Sequence, residues 1–159
     1  MTLTPRPKGI TMTEAHVYDV QGTLIDVSSA RYLVECAKPD FDAFHVATGD
    51  CPPNQDIVDE TKRSHIAQKV VIVMTGMNEK FRPLVVAWLQ RHEVPFDLLM
   101  MRPNRDFRKD FIVKAEMLRE ARLRGFVVTH AWDDNPQIVD LWKRENIPVT
   151  VVPGWTGTK

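Results

Sequence analysis

Two stretches of this chain place carboxylates where an apolar run ends, and they are its best candidates for chemistry. The first is Asp19-Val20-Gln21-Gly22-Thr23, which follows Val17-Tyr18. A carboxylate followed by a glycine turn can face an incoming phosphate while backbone N–H groups hold the phosphate oxygens. The bland alternative is an Asp that caps a turn. The second is Trp132-Asp133-Asp134-Asn135, after the run Phe126 to Ala131. Adjacent carboxylates repel unless a cation neutralises them. Mg²⁺ takes hard oxygen ligands from one or two carboxylates plus a substrate phosphate. Helix capping competes with this reading, since Asp134 or Asn135 can cap a helix that begins at Pro136. Capping accounts for one Asp more readily than for both. Thr75-Gly76 ends a third apolar run; its hydroxyl can bond a phosphate oxygen or cap the next helix. Lys114, near Arg108 and Lys109, reads by itself as a solvated helix lysine. His45, His65, His92 and His130 show no ligand spacing and read as surface or packing residues.

The elements that must position these groups alternate in type. Val17 to Val20 reads as a short buried strand. Val70-Val71-Ile72-Val73-Met74 is a β-branched run with the composition of a strand buried on both faces. Asp97 to Met101, Phe126 to Ala131 and Val149 to Val152 are further strands. Helices are predicted over Asp56 to Gln68, Phe81 to Arg91 (Pro83 fitting its first turn), Asp110 to Arg124 with Gly125 as its stop, and Pro136 to Glu145. From Leu24 to about Pro53 no clean period appears, so 24–53 is read as an inserted flap or small cap. Alternating strands and helices predict a parallel sheet covered on both sides. In such sheets ligands bind beyond the carboxyl ends of the strands. Asp19 to Thr23, Thr75-Gly76, Arg102 and Asp133-Asp134 all fall there.

Length and composition bound the rest. A chain of 159 residues fits one domain, expected over 13–159 after a loose arm at 1–12 that holds Pro5, Pro7 and Gly9. Lys plus Arg and Asp plus Glu both number 21, so whole-chain charge points to neither a nucleic-acid nor a membrane partner. No apolar run approaches the ~20 residues of a membrane helix. Cys36 and Cys51 form no CxxC pair, so neither a zinc site nor a disulfide framework is expected, and a cytoplasmic location fits.

The order Asp, Thr, Lys, Asp-Asp resembles the motif series of the haloacid-dehalogenase-type (HAD) phosphohydrolases, from about His16 to Val152. Within them the likeness is to the 3′-phosphatase domain of bacteriophage-type polynucleotide kinases. It is carried by Tyr18-Asp19-Val20-Gln21-Gly22-Thr23-Leu24, Val73-Met74-Thr75-Gly76, Arg108-Lys109-Asp110-Phe111-Ile112-Val113-Lys114 and Trp132-Asp133-Asp134-Asn135-Pro136-Gln137-Ile138-Val139. No GxxxxGK[ST] loop occurs, so no kinase half is expected here. The resemblance implies a three-layer, Rossmann-like α/β fold with a flap or cap after the first strand. It implies a phosphatase that cleaves a polynucleotide 3′-phosphate or a nucleotide phosphate monoester through an aspartyl-phosphate. Asp19 would be the nucleophile. Thr75 and Lys114 would hold the transferring oxygens, with Gly22, Thr23 and Gly76 around the phosphate. Asp19, the backbone carbonyl of Gln21, Asp133 and Asp134 would hold Mg²⁺. Asp110 would orient Lys114, Arg31 falls close to a flap arginine, and Arg102 would meet a nucleic-acid phosphate.

Two positions depart from the pattern. Gln21 stands where these phosphatases carry an Asp that acts as general acid and then base. An amide cannot donate and regain a proton, and such help is worth about 10²–10⁴-fold. Met77 stands where the polynucleotide phosphatases carry an arginine clamp, for which Lys80 or Arg82 would have to substitute. An alternative reading is therefore an impaired module that binds Mg²⁺ and phosphorylated ends without efficient turnover. Dehalogenation also does without the second Asp, but it needs no Mg²⁺ and has little use for Asp133 and Asp134 together.

Overall fold

The computed structural model describes residues 12–154, so the arm expected over 1–12 lies, but for Met12, outside the described residues. Five strands, β1 (Thr13–Tyr18), β2 (Val70–Asn78), β3 (Leu98–Arg102), β4 (Phe126–Asp133) and β5 (Val149–Val151), form one parallel sheet in the order β3-β2-β1-β4-β5. Helices α1 (Phe41–Thr48) and α2 (Gln55–Ile66) lie between β1 and β2 in the chain. After these come α3 (Arg82–Arg91), α4 (Asp110–Leu123) and α5 (Pro136–Arg144), one in each later crossover.

Period-two alternation gives each strand two buried faces, and the molecule accordingly has two cores. Val71 and Val73 turn to the face that holds Tyr18, Phe44, Val58 and Trp88. Ile72 and Met74 turn to the face that holds Val113, Leu118, Ile138 and Trp142 from α4 and α5. This is the three-layer α/β architecture that the β-branched runs require, because a parallel strand must be covered on both sides. The chain runs outward from β1 through β2 to β3, then returns to the other side of β1 for β4 and β5. That reversal opens a crevice at the carboxyl ends of β1 and β4.

Local chemistry sets the ends of the elements. Gly125 takes φ +91° and stops α4. Pro83 and Pro136 sit in the first turns of α3 and α5, where an absent N–H costs nothing. Four elements differ from the sequence expectation. Strand β1, expected over Val17 to Val20, runs from Thr13 to Tyr18 and leaves Asp19 and Val20 beyond its end. The segment 24–53 contains a helix, α1, capped by Asp40, whose side chain accepts from the Ala43 N–H at 2.9 Å. Phe44 and Thr48 are buried while Phe41 and Val46 are exposed, so no single apolar stripe marks it. Strand β2 continues through Thr75-Gly76 to Asn78, with a register shift between Thr75 and Asn78. Strand β4 runs on to Asp133, pairing it with Val151.

Candidate active site

The crevice is built first by backbone. The Asp19 N–H donates to the Trp132 carbonyl at 3.1 Å, which ties the end of β1 to the strand that carries Asp133. The Val152 N–H donates to the Asp133 carbonyl at 2.9 Å. Two strand ends are thus held side by side, and their carboxylates must meet. Helix α4 brings Lys114 up from beneath, on the same buried face as Val113, Met117 and Leu118.

Lys114 Nζ donates to Asp19 Oδ1 and to Asp133 Oδ2, each at 2.8 Å. All three side chains are almost wholly buried, the lysine at 3% exposure. Burial opposes the ammonium charge, but the Asp133 and Asp19 carboxylates outweigh it and hold the Lys114 pKa well above its ordinary value. Asp134 completes the group: Asp19, Asp133 and Asp134 each offer an oxygen within 4.8 Å of the others. Three carboxylates gathered around one lysine ammonium concentrate like charge, an expensive arrangement in a dry site. Hard oxygen donors in that number suit a divalent cation such as Mg²⁺.

The neighbours are fitted around this charge. The Thr23 hydroxyl lies 3.1 Å from Asp19 Oδ2 and 3.4 Å from Asp134 Oδ1. Gly22 takes φ +83°, and a Cβ there would lie 2.0 Å from Asp134 Oδ2, so only glycine fits the turn. Asn135 caps α5 through its side chain, which accepts from the Gln137 N–H, while Asp133 Oδ1 accepts from the Asn135 N–H at 3.0 Å. The capping duty thus falls to Asn135, leaving Asp133 and Asp134 with the carboxylate cluster. Thr75 Oγ1 accepts from the Met77 N–H at 3.1 Å, which leaves its own proton available to a ligand.

A cavity of about 680 Å³ opens above Asp19, Gln21, Thr75, Gly76 and Lys114. Its outer walls include Phe41, Phe81 and Phe107, the last 92% exposed. Arg102 and Asp110 line it as an ion pair, and Arg102 also donates to the Gly76 carbonyl at 2.7 Å and the Asp106 carbonyl at 3.1 Å. Arg102 is thereby committed to bracing the 103–109 loop. Asp110 bonds to Arg102, while Lys114 bonds to Asp19 and Asp133. A Cβ on Gly76 would lie 2.5 Å from Asp110 Oδ1, so this brace is also why position 76 is small.

Not every expected residue converges here. Arg82 pairs with Glu79 at 2.8 Å, donates to the Leu99 carbonyl and faces a separate depression beside β3 and α4. It does not replace the clamp that Met77 lacks, and Met77 itself is buried in the core. Lys80 does line the cavity, held by Asp42 at 2.9 Å. Arg31 stands beside Gly154, outside the cavity walls.

His45, expected as a surface or packing residue, lines the cavity beside Gln21. Its Nδ1 lies 2.9 Å from Gln21 Nε2, and its ring lines the cavity edge-on to Phe81. Burial pushes its imidazole down to about 4, with Asp42 and Asp110 pulling the other way. Thr48, one turn further along α1, lies 3.2 Å from the same Gln21 nitrogen. The one available signal was the helix cap at Asp40, from which His45 and Thr48 follow on nearby faces.

Structures similar to this one include a Pnkp1/Rnl/Hen1 complex, with a TM-score of 0.74 and 25% identity over 95% of this chain. The match covers 51% of that chain, so the present chain spans about half its length. A tungstate-bound class C acid phosphatase from Bacillus anthracis has a TM-score of 0.66 at 11% identity, over 93% of this chain and 70% of the other. The L-2-haloacid dehalogenase PA0810 has a TM-score of 0.56 at 13% identity, over 92% of both chains. These two share the fold. No curated protein matches the chain. The family described as the polynucleotide kinase PNKP phosphatase domain matches residues 13–154, and with a HAD-type sheet and the Asp19–Lys114–Asp133 cluster in place, the chain belongs to that family.

Proposed function

We propose that this protein is a Mg²⁺-dependent phosphohydrolase that works through an aspartyl-phosphate on Asp19, on a polynucleotide 3′-phosphate or a nucleotide phosphate monoester. The observation that carries the reading is the buried ammonium of Lys114, shared at 2.8 Å between Asp19 and Asp133 with Asp134 alongside. Asp19, the backbone carbonyl of Gln21, Asp133 and Asp134 would hold the metal. When bound, Mg²⁺ supplies charge that offsets repulsion between an anionic nucleophile and an anionic substrate.

The chain's own groups do the rest. Asp19 attacks phosphorus as the bond to the leaving oxygen breaks, the electron pair departing with that oxygen. Lys114 keeps Asp19 ionised and then, with the Thr75 hydroxyl, holds the transferring oxygens. Gly22, Thr23 and Gly76 let backbone approach the phosphate. Gln21 supplies no proton to the leaving group, so turnover on an alkoxide leaving group is slow. The cavity is open and walled with aromatic side chains, which suits the end of a single strand. A similar chain stands in a complex described as an RNA repair complex, which favours a nucleic-acid end over a metabolite. Both cysteines are free thiols and no helix among the described residues is long and apolar enough to cross a membrane; we place the protein in the cytoplasm.

Phosphate release from a 3′-phosphorylated oligonucleotide with Mg²⁺ tests this. Asp19→Asn should abolish it. Tight binding of such ends without release would favour the impaired module that Gln21 suggests. Neither binding nor release, from these ends or from small phosphate esters, would end the proposal.

A further inference from the structure

We propose that His45 and Thr48 lock the Gln21 amide so that its carbonyl oxygen orients the water that hydrolyses phosphorylated Asp19, which makes His45 a positioning residue for the second half of the reaction. The inference rests on the aspartyl-phosphate reading above.

The hydroxyl of Thr48 fixes the sense of the network. It has one proton, and it donates that proton to the His45 carbonyl at 2.7 Å. Toward Gln21, 3.2 Å away, Thr48 Oγ1 can therefore only accept, so the atom facing it is the amide nitrogen. The same nitrogen faces His45 Nδ1 at 2.9 Å. Nδ1 must then be the bare nitrogen of the ring, with the imidazole proton on Nε2. Both amide N–H bonds are thus engaged on α1, and the group Gln21 can turn to the cavity is its carbonyl, an acceptor with two lone pairs. Gln21 is 8% exposed and lines the same cavity as Asp19, two residues away.

An acceptor held this way cannot act as an acid in the first half-reaction, but it can align a water in the second. Orientation of the attacking water by a glutamine is an accepted device in phosphoryl transfer. The water oxygen bonds to phosphorus as the bond from phosphorus to the Asp19 carboxyl oxygen breaks, and that electron pair returns to Asp19. One water proton moves to a phosphoryl oxygen. The product leaves as dihydrogen phosphate and then loses a proton to solvent. Gln21 gains and loses nothing, and its task is geometric.

4-Nitrophenyl phosphate with Mg²⁺ separates the two halves, because nitrophenolate needs no proton to leave. The expected course is a burst of one nitrophenolate per site followed by a slow steady phase. His45→Ala should lower the steady phase by roughly tenfold or more and lower KM in proportion, leaving kcat/KM and the burst unchanged, as expected when a group that acts only in the second half is misplaced. His45→Asn, whose Oδ1 can stand in for Nδ1 as acceptor, should recover most of that loss. Thr48→Val should slow the same phase. In a Gln21→Ala background, His45→Ala should add no further loss. Thermal melts identify a variant that has merely unfolded, and His45→Asn and Thr48→Val then carry the test. A steady phase that ignores His45→Ala in folded protein, an Asn variant as slow as the Ala variant, or additive losses with Gln21→Ala would each overturn the lock. Absence of any burst or phosphorylated protein in the parent chain is a different failure. It would remove the aspartyl-phosphate reading and this inference with it.

Discussion

Asp134→Asn should make the metal-free protein more stable while removing most of its response to Mg²⁺. The three carboxylates of the cluster present oxygens within 4.8 Å of one another. At an effective dielectric near 20, two like charges at that separation repel by about 3.5 kcal/mol. Asp134 feels two such repulsions, from Asp19 and Asp133. The Lys114 ammonium, bonded to those other two, offsets part of this for Asp134. Relaxation and water penetration reduce the remainder to a net gain of about 1–3 kcal/mol on neutralising the side chain. The amide keeps the shape of the carboxylate and can still accept from Thr23. For a chain of this length 1 kcal/mol moves Tm by about 2–4 °C, so the variant should melt about 2–12 °C above the parent in EDTA. In the parent, Mg²⁺ at about 100 times its Kd should add about 2.7 kcal/mol. That increment should largely disappear in the variant, so the two melting curves approach or cross as Mg²⁺ rises. Differential scanning fluorimetry across a Mg²⁺ titration reads both effects. A variant that melts below the parent in EDTA, or an equal Mg²⁺ shift in both proteins, would refute the claim that excess negative charge is stored here for a cation.

Gly22→Ala should cost about 1–3 kcal/mol and blunt the Mg²⁺ shift in the same melts, because an alanine would need φ +83° with its Cβ against Asp134. His45 titrates near 6.5 when unfolded and near 4 when folded, so between these values the unfolded chain binds more protons. Its contribution is therefore full above pH 6.5 and lost as pH falls toward 4. After allowance for its partial exposure this amounts to about 2–3 kcal/mol, and urea melts of His45→Asn should show a correspondingly flatter acid limb. Leu118→Ala, in the core beneath Lys114, should destabilise by about 2–4 kcal/mol. Leu123→Ala on the same helix, 79% exposed, should change stability by less than about 0.5 kcal/mol in urea titrations.

The α/β class, the five strands and four of the five helices were legible in the chain because their signals are local. A β-branched run such as Val70 to Met74 has no favourable place except between two covering layers. A proline in a first turn, or Gly125 after the last periodic residue, marks a boundary without reference to anything distant. The order Asp19, Thr75, Lys114, Asp133-Asp134 carried the family likeness for a related reason: strand ends in a parallel sheet share one edge, so residues just beyond them are predisposed to meet. Helix α1 escaped, since its residues answer to two environments at once. Phe44 turns to the core while Phe41 and His45 line the cavity, and the single-stripe pattern is lost.

What only the folded molecule decided is pairing between side chains far apart in sequence. Lys114 could be read as an ordinary solvated lysine until α4 carried it beneath two strand ends and buried it between Asp19 and Asp133. Asp110 was expected to orient Lys114 and Arg102 to meet a phosphate, yet at close range they satisfy each other. His45 showed no ligand spacing because its partner, Gln21, lies in another segment of the chain. Charge and hydrogen-bonding capacity belong to each residue type. The partner that neutralises or orients it is set by distances of about 3 Å, which exist only after long-range packing has closed the crevice.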